Sequence, residues 1–184
     1  AVNTALDAID KIRDTADAHD RVFFVEVMGR DTGYIAVRSA IAGGAEMAMI
    51  PEKHEPMDEV IAKLKVGASM GKGSSIIVVA EGDEAGNAYQ IADQVKVAVP
   101  ELDTKVVMLG HIQRGGSPTA SDRILASRLG LGAVEALRSG DYNKMSGVIN
   151  HKLVYTTLAD AIGKRKPVNP ELIELIDTLN GKTY

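Results

Sequence analysis

The chain has 184 residues, 45% hydrophobic and 25% charged, an ordinary balance for a globular domain and enough to bury one substantial core or two small lobes. A formal net charge of -4 offers no bulk positive field for nucleic acid, and the absence of cysteine excludes disulfides and thiolate metal sites and fits a cytoplasmic location. No apolar run nears the roughly 20 residues that cross a bilayer, so no membrane partner is expected.

Val2, Leu6, Ile9 and Ile12 recur at helical spacing. The opening stretch carries Asp7 and Asp10 and is no secretory signal; it lacks a methionine and begins inside the helical pattern, which points to a processed chain or a fragment. VFFVEV (22–27) reads as a buried strand, and Asp31 or Thr32 is expected to cap a helix that Gly43 and Gly44 stop. EMAMI (46–50) is a strand ended by Pro51, and Met57, Val60, Ile61 and Leu64 mark a helix face. SIIVVAE (75–81) is a strand, Ala88 to Val99 a helix closed by Pro100, and KVVMLG (105–110) a further strand. Leu125, Leu129, Ala133 and Leu137 predict a long helix over 119–139. VINHKLVYTTL predicts one weaker strand, followed by a short helix to Ile162 and a last helix starting near Asn169 or Pro170. KRKP (164–167) is the linker candidate between them, a solvated turn or a basic docking patch. This alternation predicts an α/β fold with mostly parallel sheets and helices on both faces.

In open α/β sheets ligands bind beyond the carboxyl ends of the strands. Three predicted strands end in groups with chemistry: Met28, Gly29 and Arg30; Glu81; and His111, Ile112, Gln113 and Arg114. Arg30 and Arg114 are planar cationic forks suited to phosphate. Gly29, Gly115 and Gly116 permit close backbone approach, and His111 adds a donor. Ionised Glu81 only accepts hydrogen bonds and repels phosphate, so it suits sugar hydroxyls. Together they describe a site for a phosphorylated polyol. Arg21 and Lys105 begin two of the same strands, roughly 23 Å away at about 3.3 Å per residue. They are either solvated strand-start charges or residues that reach a neighbouring subunit's site in a symmetric oligomer.

Several motifs fail. GASMGKGS (67–74) misses the phosphate-loop spacing by one residue, has Gly73 where Ser or Thr is needed, and precedes a strand. GLGAVE (130–135) lacks the third glycine of the dinucleotide fingerprint. His19, His54, His111 and His151 lack metal-ligand spacing, and no serine elbow is present. No nucleotide phosphate cradle or Mg²⁺ carboxylate set is found.

VEVMGRDTGYIAVRSAIAGGAE, IIVVAEG, LGHIQRGGSPTASDRILASRLG, DKIRDTADAHDRV and the closing GKTY closely resemble bacterial-type 6-phosphofructokinases. The resemblance covers nearly the whole chain but only the carboxyl-terminal part of such an enzyme. It implies that the ATP loop, the Mg²⁺ aspartates and the base aspartate lie in an amino-terminal portion not present here, so that this segment alone is inactive. Met28, Gly29 and Arg30 then match the fructose 6-phosphate motif, with Arg30 also near the transferring phosphoryl group. Glu81 matches the carboxylate on sugar hydroxyls, and His111, Ile112, Gln113 and Arg114 the segment holding the 6-phosphate. Arg21 matches an arginine contributed to a neighbouring subunit of a homotetramer; Lys105 stands for a second, keeping charge but losing the bidentate fork. Arg13, Gly44, Ala45, Glu46, Lys72, Gly73 and Ser74 fall on an effector site for ADP or phosphoenolpyruvate, where Glu46 could meet effector Mg²⁺ and Met70 replaces a frequent lysine. The implied lobes are 1–112 with 165–184, binding fructose 6-phosphate, and 113–164, part of the nucleotide lobe. ATP with Mg²⁺ is the implied donor; a pyrophosphate-dependent enzyme and a non-catalytic sugar-phosphate or assembly module are the alternatives.

Overall fold

The computed structural model describes residues 1–16, 21–70, 73–164 and 167–181. The chain divides into two compact units, 1–116 with 167–184, and 117–166.

The first unit is built on four strands, β1 (Arg21–Val27), β2 (Met47–Met49), β3 (Ser74–Ala80) and β4 (Asp103–Met108). They lie in the order β2-β3-β1-β4, and every pair is parallel. β1 and β3 are buried along almost their whole length, which is why both read as continuous apolar runs rather than as alternations. Successive side chains serve opposite faces. Val25, Val27, Ile76 and Val78 pack with Ile9 of α1 (Val2–Ala16), Val37 of α2 (Tyr34–Ala42) and Ile176 of the carboxyl-terminal helix (Pro170–Leu179). Val22, Phe24, Ile77 and Val79 pack with Val60 and Leu64 of α3 (Met57–Ser69) and Ile91 and Val95 of α4 (Ala88–Ala98). Phe24 is fully buried, and truncating such a ring to alanine costs about 3–5 kcal/mol. The two-sided α/β architecture expected from the alternation is the one observed.

The second unit pairs the long helix α5 (Ala120–Arg138) with β5 (Lys144–Ile149), β6 (Lys152–Thr157) and the short α6 (Leu158–Gly163); the carboxyl-terminal helix is α7. Thr119 and Asp122 form a reciprocal cap at the start of α5. Gly132 lets α5 approach β6, where an added β-carbon would sit 2.5 Å from the Leu153 side chain. Ile124, Leu131, Val134 and Leu137 of α5 are exposed.

Two local expectations are corrected. VINHKLVYTTL is not one strand: β5 and β6 are antiparallel and register from Lys144 opposite Thr157 to Ile149 opposite Lys152. Asn150 and His151 turn the chain with φ of 48° and 62°, the left-handed pair a tight hairpin requires. Neither Asp31 nor Thr32 caps α2. The cap position is Gly33, without a side-chain bond, and its N–H donates to the Glu52 carboxylate at 2.9 and 3.1 Å. The Thr32 hydroxyl instead donates back to Gly29 O at 3.1 Å. GLGAVE lies inside α5, as its helical pattern implied.

Candidate functional site

The register aligns three strand ends on one edge. Val27 of β1 lies opposite Ala80 of β3, and Glu26 opposite Met108 of β4. The ladders close with Glu81 N donating to Val27 O and Leu109 N to Glu26 O, both at 3.0 Å. The Met28–Arg30 turn, Glu81 and the one-and-a-half-turn 3₁₀ segment Gly110–Arg114 therefore emerge side by side.

The turn after β1 is tight. Thr32 N donates to Gly29 O at 3.1 Å, and a β-carbon on Gly29 would sit 2.1 Å from Thr32 O, so only glycine fits. Arg30 has φ 54°, a left-handed backbone unusual for arginine that costs of order 1–3 kcal/mol. Glu81 holds it there: its Oε1 accepts from Arg30 N at 2.7 Å and from Gly29 N at 3.3 Å. Glu81 directly follows β3, and the next residue, Gly82, packs against Arg30 O with no room for a side chain. The second carboxylate oxygen of Glu81 has no hydrogen-bond partner among the described residues.

In the 3₁₀ segment His111, Ile112 and Arg114 are exposed. Gln113 is turned inward at 1% exposure and bonds to Met28 N and Gly110 O. The guanidinium groups of Arg30 and Arg114 and the His111 ring make no hydrogen bond or ion pair among the described residues. One exposed edge thus presents two unpaired arginine forks, an imidazole and one open carboxylate oxygen. That is the donor and acceptor set for an anion carrying hydroxyls.

Arg21 opens β1 at the opposite, amino edge of the sheet, whereas Lys105 does not begin its strand as expected: β4 starts at Asp103, which lies opposite Arg21, and Lys105 is its third residue, opposite Phe23. Both are bonded to Asp103: Arg21 Nε at 2.9 Å and Lys105 Nζ at 2.7 Å. The bond from Lys105, then that from Arg21, holds the Asp103 carboxyl below the usual carboxylate range. Asp103 was not picked out by the sequence reading. Its signal was the i, i+2 spacing to Lys105 on one strand face.

The residues expected at an effector site also gather at the amino edge of β2 and β3. Arg13 Nη2 donates to Gly43 O and Gly44 O at 2.5 and 2.8 Å, neutralising the carboxyl end of α2. Gly44 has φ 63°, and Ala45 is buried with its N–H on Ala40 O. Glu46 accepts from Ile76 N at 2.5 Å and donates its own N–H to Ile76 O at 2.9 Å. Gly73 O accepts from Arg21 N, and Ser74 opens β3. Lys72 lies outside the described residues. A cavity of about 370 Å³ adjoins this group, lined by Glu46, Met47, Leu64, Met70, Ser75 and Asn180 among others. Among the described residues no cluster of three histidine or acidic side chains could hold a metal ion, and no helix is long and apolar enough to cross a membrane.

Two further carboxylates serve structure. Glu26, buried on β1, accepts from Ala88 N at 2.9 Å and anchors the amino end of α4. Lys53 joins buried Glu55 at 2.6 Å to Asp177 of α7 at 2.5 Å.

Residues 1–137 match the family model described as phosphofructokinase. An ATP-dependent 6-phosphofructokinase of Cytophaga hutchinsonii is 62% identical over 184 residues, 100% of this chain and 56% of that protein. An ATP-dependent 6-phosphofructokinase 2 of Bacteroides thetaiotaomicron is 49% identical over 180 residues, covering 98% of this chain and 55% of that protein. A solved phosphofructokinase from Saccharomyces cerevisiae superposes with a TM-score of 0.79 at 32% identity, over 97% of this chain and 25% of that one. The chain thus spans about half the length of the curated relatives it matches.

Proposed function

Because the chain belongs to the phosphofructokinase family, we propose that it forms the fructose 6-phosphate-binding part of an ATP-dependent 6-phosphofructokinase, a glycolytic phosphotransferase. The observation that carries this reading is the cationic and carboxylate set at one sheet edge: Arg30, His111 and Arg114 have side chains without partners among the described residues, and Glu81 has one oxygen open among them. The arginines and His111 supply charge-assisted donors to the 6-phosphate, and the open Glu81 oxygen accepts from sugar hydroxyls. Met28, Gly29 and Ile112 line the approach, and Gln113 belongs to the same wall.

In the whole enzyme the γ-phosphoryl group of ATP passes to the sugar 1-hydroxyl, leaving ADP and fructose 1,6-bisphosphate. Such transfer rests on positioning and charge neutralisation, and Arg30 is this chain's contribution to the developing charge. On the family resemblance, the ATP loop and the Mg²⁺ carboxylates are assigned to the part of the relatives that lies outside this chain's span. ATP is favoured over pyrophosphate by the names of the 62% and 49% identical relatives. The unit 1–116 with 167–184 supports a substrate lobe of 1–112 with 165–184, and the unit 117–166 supports assigning 113–164 to the nucleotide lobe. Gln113, which bonds back to Met28, lies within the first unit.

Arg21 and Lys105 reach a neighbouring subunit's substrate in a homotetramer, which requires that they leave Asp103. The group around Arg13, Gly44, Ala45, Glu46, Gly73 and Ser74, one strand length from the substrate edge, is the candidate effector site for ADP or phosphoenolpyruvate, and by sequence Lys72 is assigned to it. A cytoplasmic location follows from the glycolytic assignment. Calorimetric titration of fructose 6-phosphate into the wild-type chain and Arg114→Ala tests the substrate reading. Saturable binding by wild type, weakened at least tenfold in the variant, is expected; equal binding by both would refute the phosphate contact.

A further inference from the structure

Gln113 stands in the middle of the phosphate-binding segment, yet its side chain is 1% exposed while His111, Ile112 and Arg114 face solvent. Both ends of its amide are engaged: Oε1 accepts from Met28 N at 3.3 Å, and Nε2 donates to Gly110 O at 3.1 Å. Only this orientation satisfies both backbone groups, because an N–H must meet the oxygen and a carbonyl the nitrogen.

The position of these bonds matters. The β1–β4 ladder ends where Leu109 N meets Glu26 O. Beyond that point Gln113 supplies a side-chain bond that crosses between the two turns carrying Arg30 and Arg114. On the other flank Glu81 does the same for β3, taking Gly29 N and Arg30 N. Three consecutive amides, those of Met28, Gly29 and Arg30, are thus fixed by side chains from the two flanking strands. A hydrocarbon side chain at 113 would leave a backbone N–H and a backbone C=O without partners, and an ionised glutamate could not donate to Gly110 O.

We propose that Gln113 is a positioning residue: it never touches the sugar phosphate but sets the spacing between the Arg30 and Arg114 walls. This rests on the substrate reading above. It also reassigns Gln113 from contact to support, leaving His111 and Arg114 as the groups of this segment that meet phosphate.

The test uses the ¹⁵N-labelled chain with Gln113→Met, which keeps the length and removes both bonds, and Gln113→Glu. Amide exchange at Met28 and fructose 6-phosphate affinity are measured together, with urea unfolding run in parallel. In Gln113→Met, exchange at Met28 should accelerate at least tenfold while β1 amides stay protected, and affinity should fall about tenfold. In Gln113→Glu, affinity relative to wild type should be low at pH 7 and recover towards pH 5, because the protonated carboxyl regains a donor for Gly110 O. Taking the ratio to wild type at each pH cancels titration of the ligand and of every group the two chains share. A support acting on stability alone would shift the urea midpoint and leave the affinity ratio flat. Wild-type affinity in both variants overturns the inference and leaves the substrate reading intact; no binding by wild type overturns the substrate reading and this inference with it.

Discussion

Replacing Gly82 with alanine is the sharpest probe of how the proposed substrate edge is assembled. The new β-carbon would lie 1.9 Å from Arg30 O and 2.9 Å from Arg30 C, both backbone atoms that cannot rotate away. A normal carbon–oxygen approach is about 3.3 Å, so the two segments must part by roughly 1.4 Å. The Arg30 N to Glu81 Oε1 bond, now 2.7 Å, cannot survive that separation. Overpacking of this kind costs about 1–3 kcal/mol, and a hydrogen bond to a carboxylate is worth about 1.5–3 kcal/mol; the two overlap and do not add. Released from Glu81, Arg30 relaxes from its left-handed backbone and its side chain leaves the substrate edge. We expect fructose 6-phosphate to bind about 10- to 100-fold more weakly, since each ~1.4 kcal/mol is tenfold, with a loss of about 1–3 kcal/mol in urea unfolding. Gly130→Ala is the control: its β-carbon meets nothing within 4 Å inside α5, so it should gain up to about 1 kcal/mol and leave affinity alone. A Gly82→Ala chain that titrates and unfolds like wild type would refute the close-packing account.

Two predictions concern charge. The Asp103 carboxyl is held low by Lys105 first and Arg21 second; its stabilising contribution is therefore present above the unfolded value of about 3.9 and fades as pH falls through the folded one. Carbon-13 NMR should find its midpoint below that of a free aspartate, moving up in Lys105→Met; an unchanged midpoint would dismiss the ion pair. Burial alone would lower the Lys53 pKa, but its bonds to Asp177 and Glu55 prevail and raise it above 10.5. The stabilisation is full below about pH 10.4 and is lost as pH rises through the folded value. Lys53→Met should speed amide exchange in the last turn of α7; protection equal to wild type would show that α7 is held by its apolar face alone.

What could be read from the residues divides along physical lines. β1 and β3 were legible because both faces are buried and the apolar run is unbroken. The parallel order placed Arg30, Glu81, His111 and Arg114 on one edge before any coordinates. The hairpin at Asn150-His151 was missed because its turn carries no glycine, so the apolar pattern ran through it. The α2 cap was missed because its partner, Glu52, is 19 residues away, beyond any local signal. For the same reason the inward turn of Gln113 could not be seen: a polar residue among polar residues gives no hint of burial. Asp103 was passed over because nothing in its own neighbourhood showed that Arg21 lies opposite it across the β1–β4 register.

The left-handed Arg30 has an evolutionary corollary. Glycine at that position would adopt φ 54° without strain, so Arg30→Gly would remove a local cost while deleting the charge proposed to meet the sugar phosphate. A screen that ranks variants by thermal tolerance alone would favour this change and enrich for well-folded chains without that guanidinium. On the proposed reading, selection for heat tolerance and selection for ligand binding point in opposite directions at a single codon.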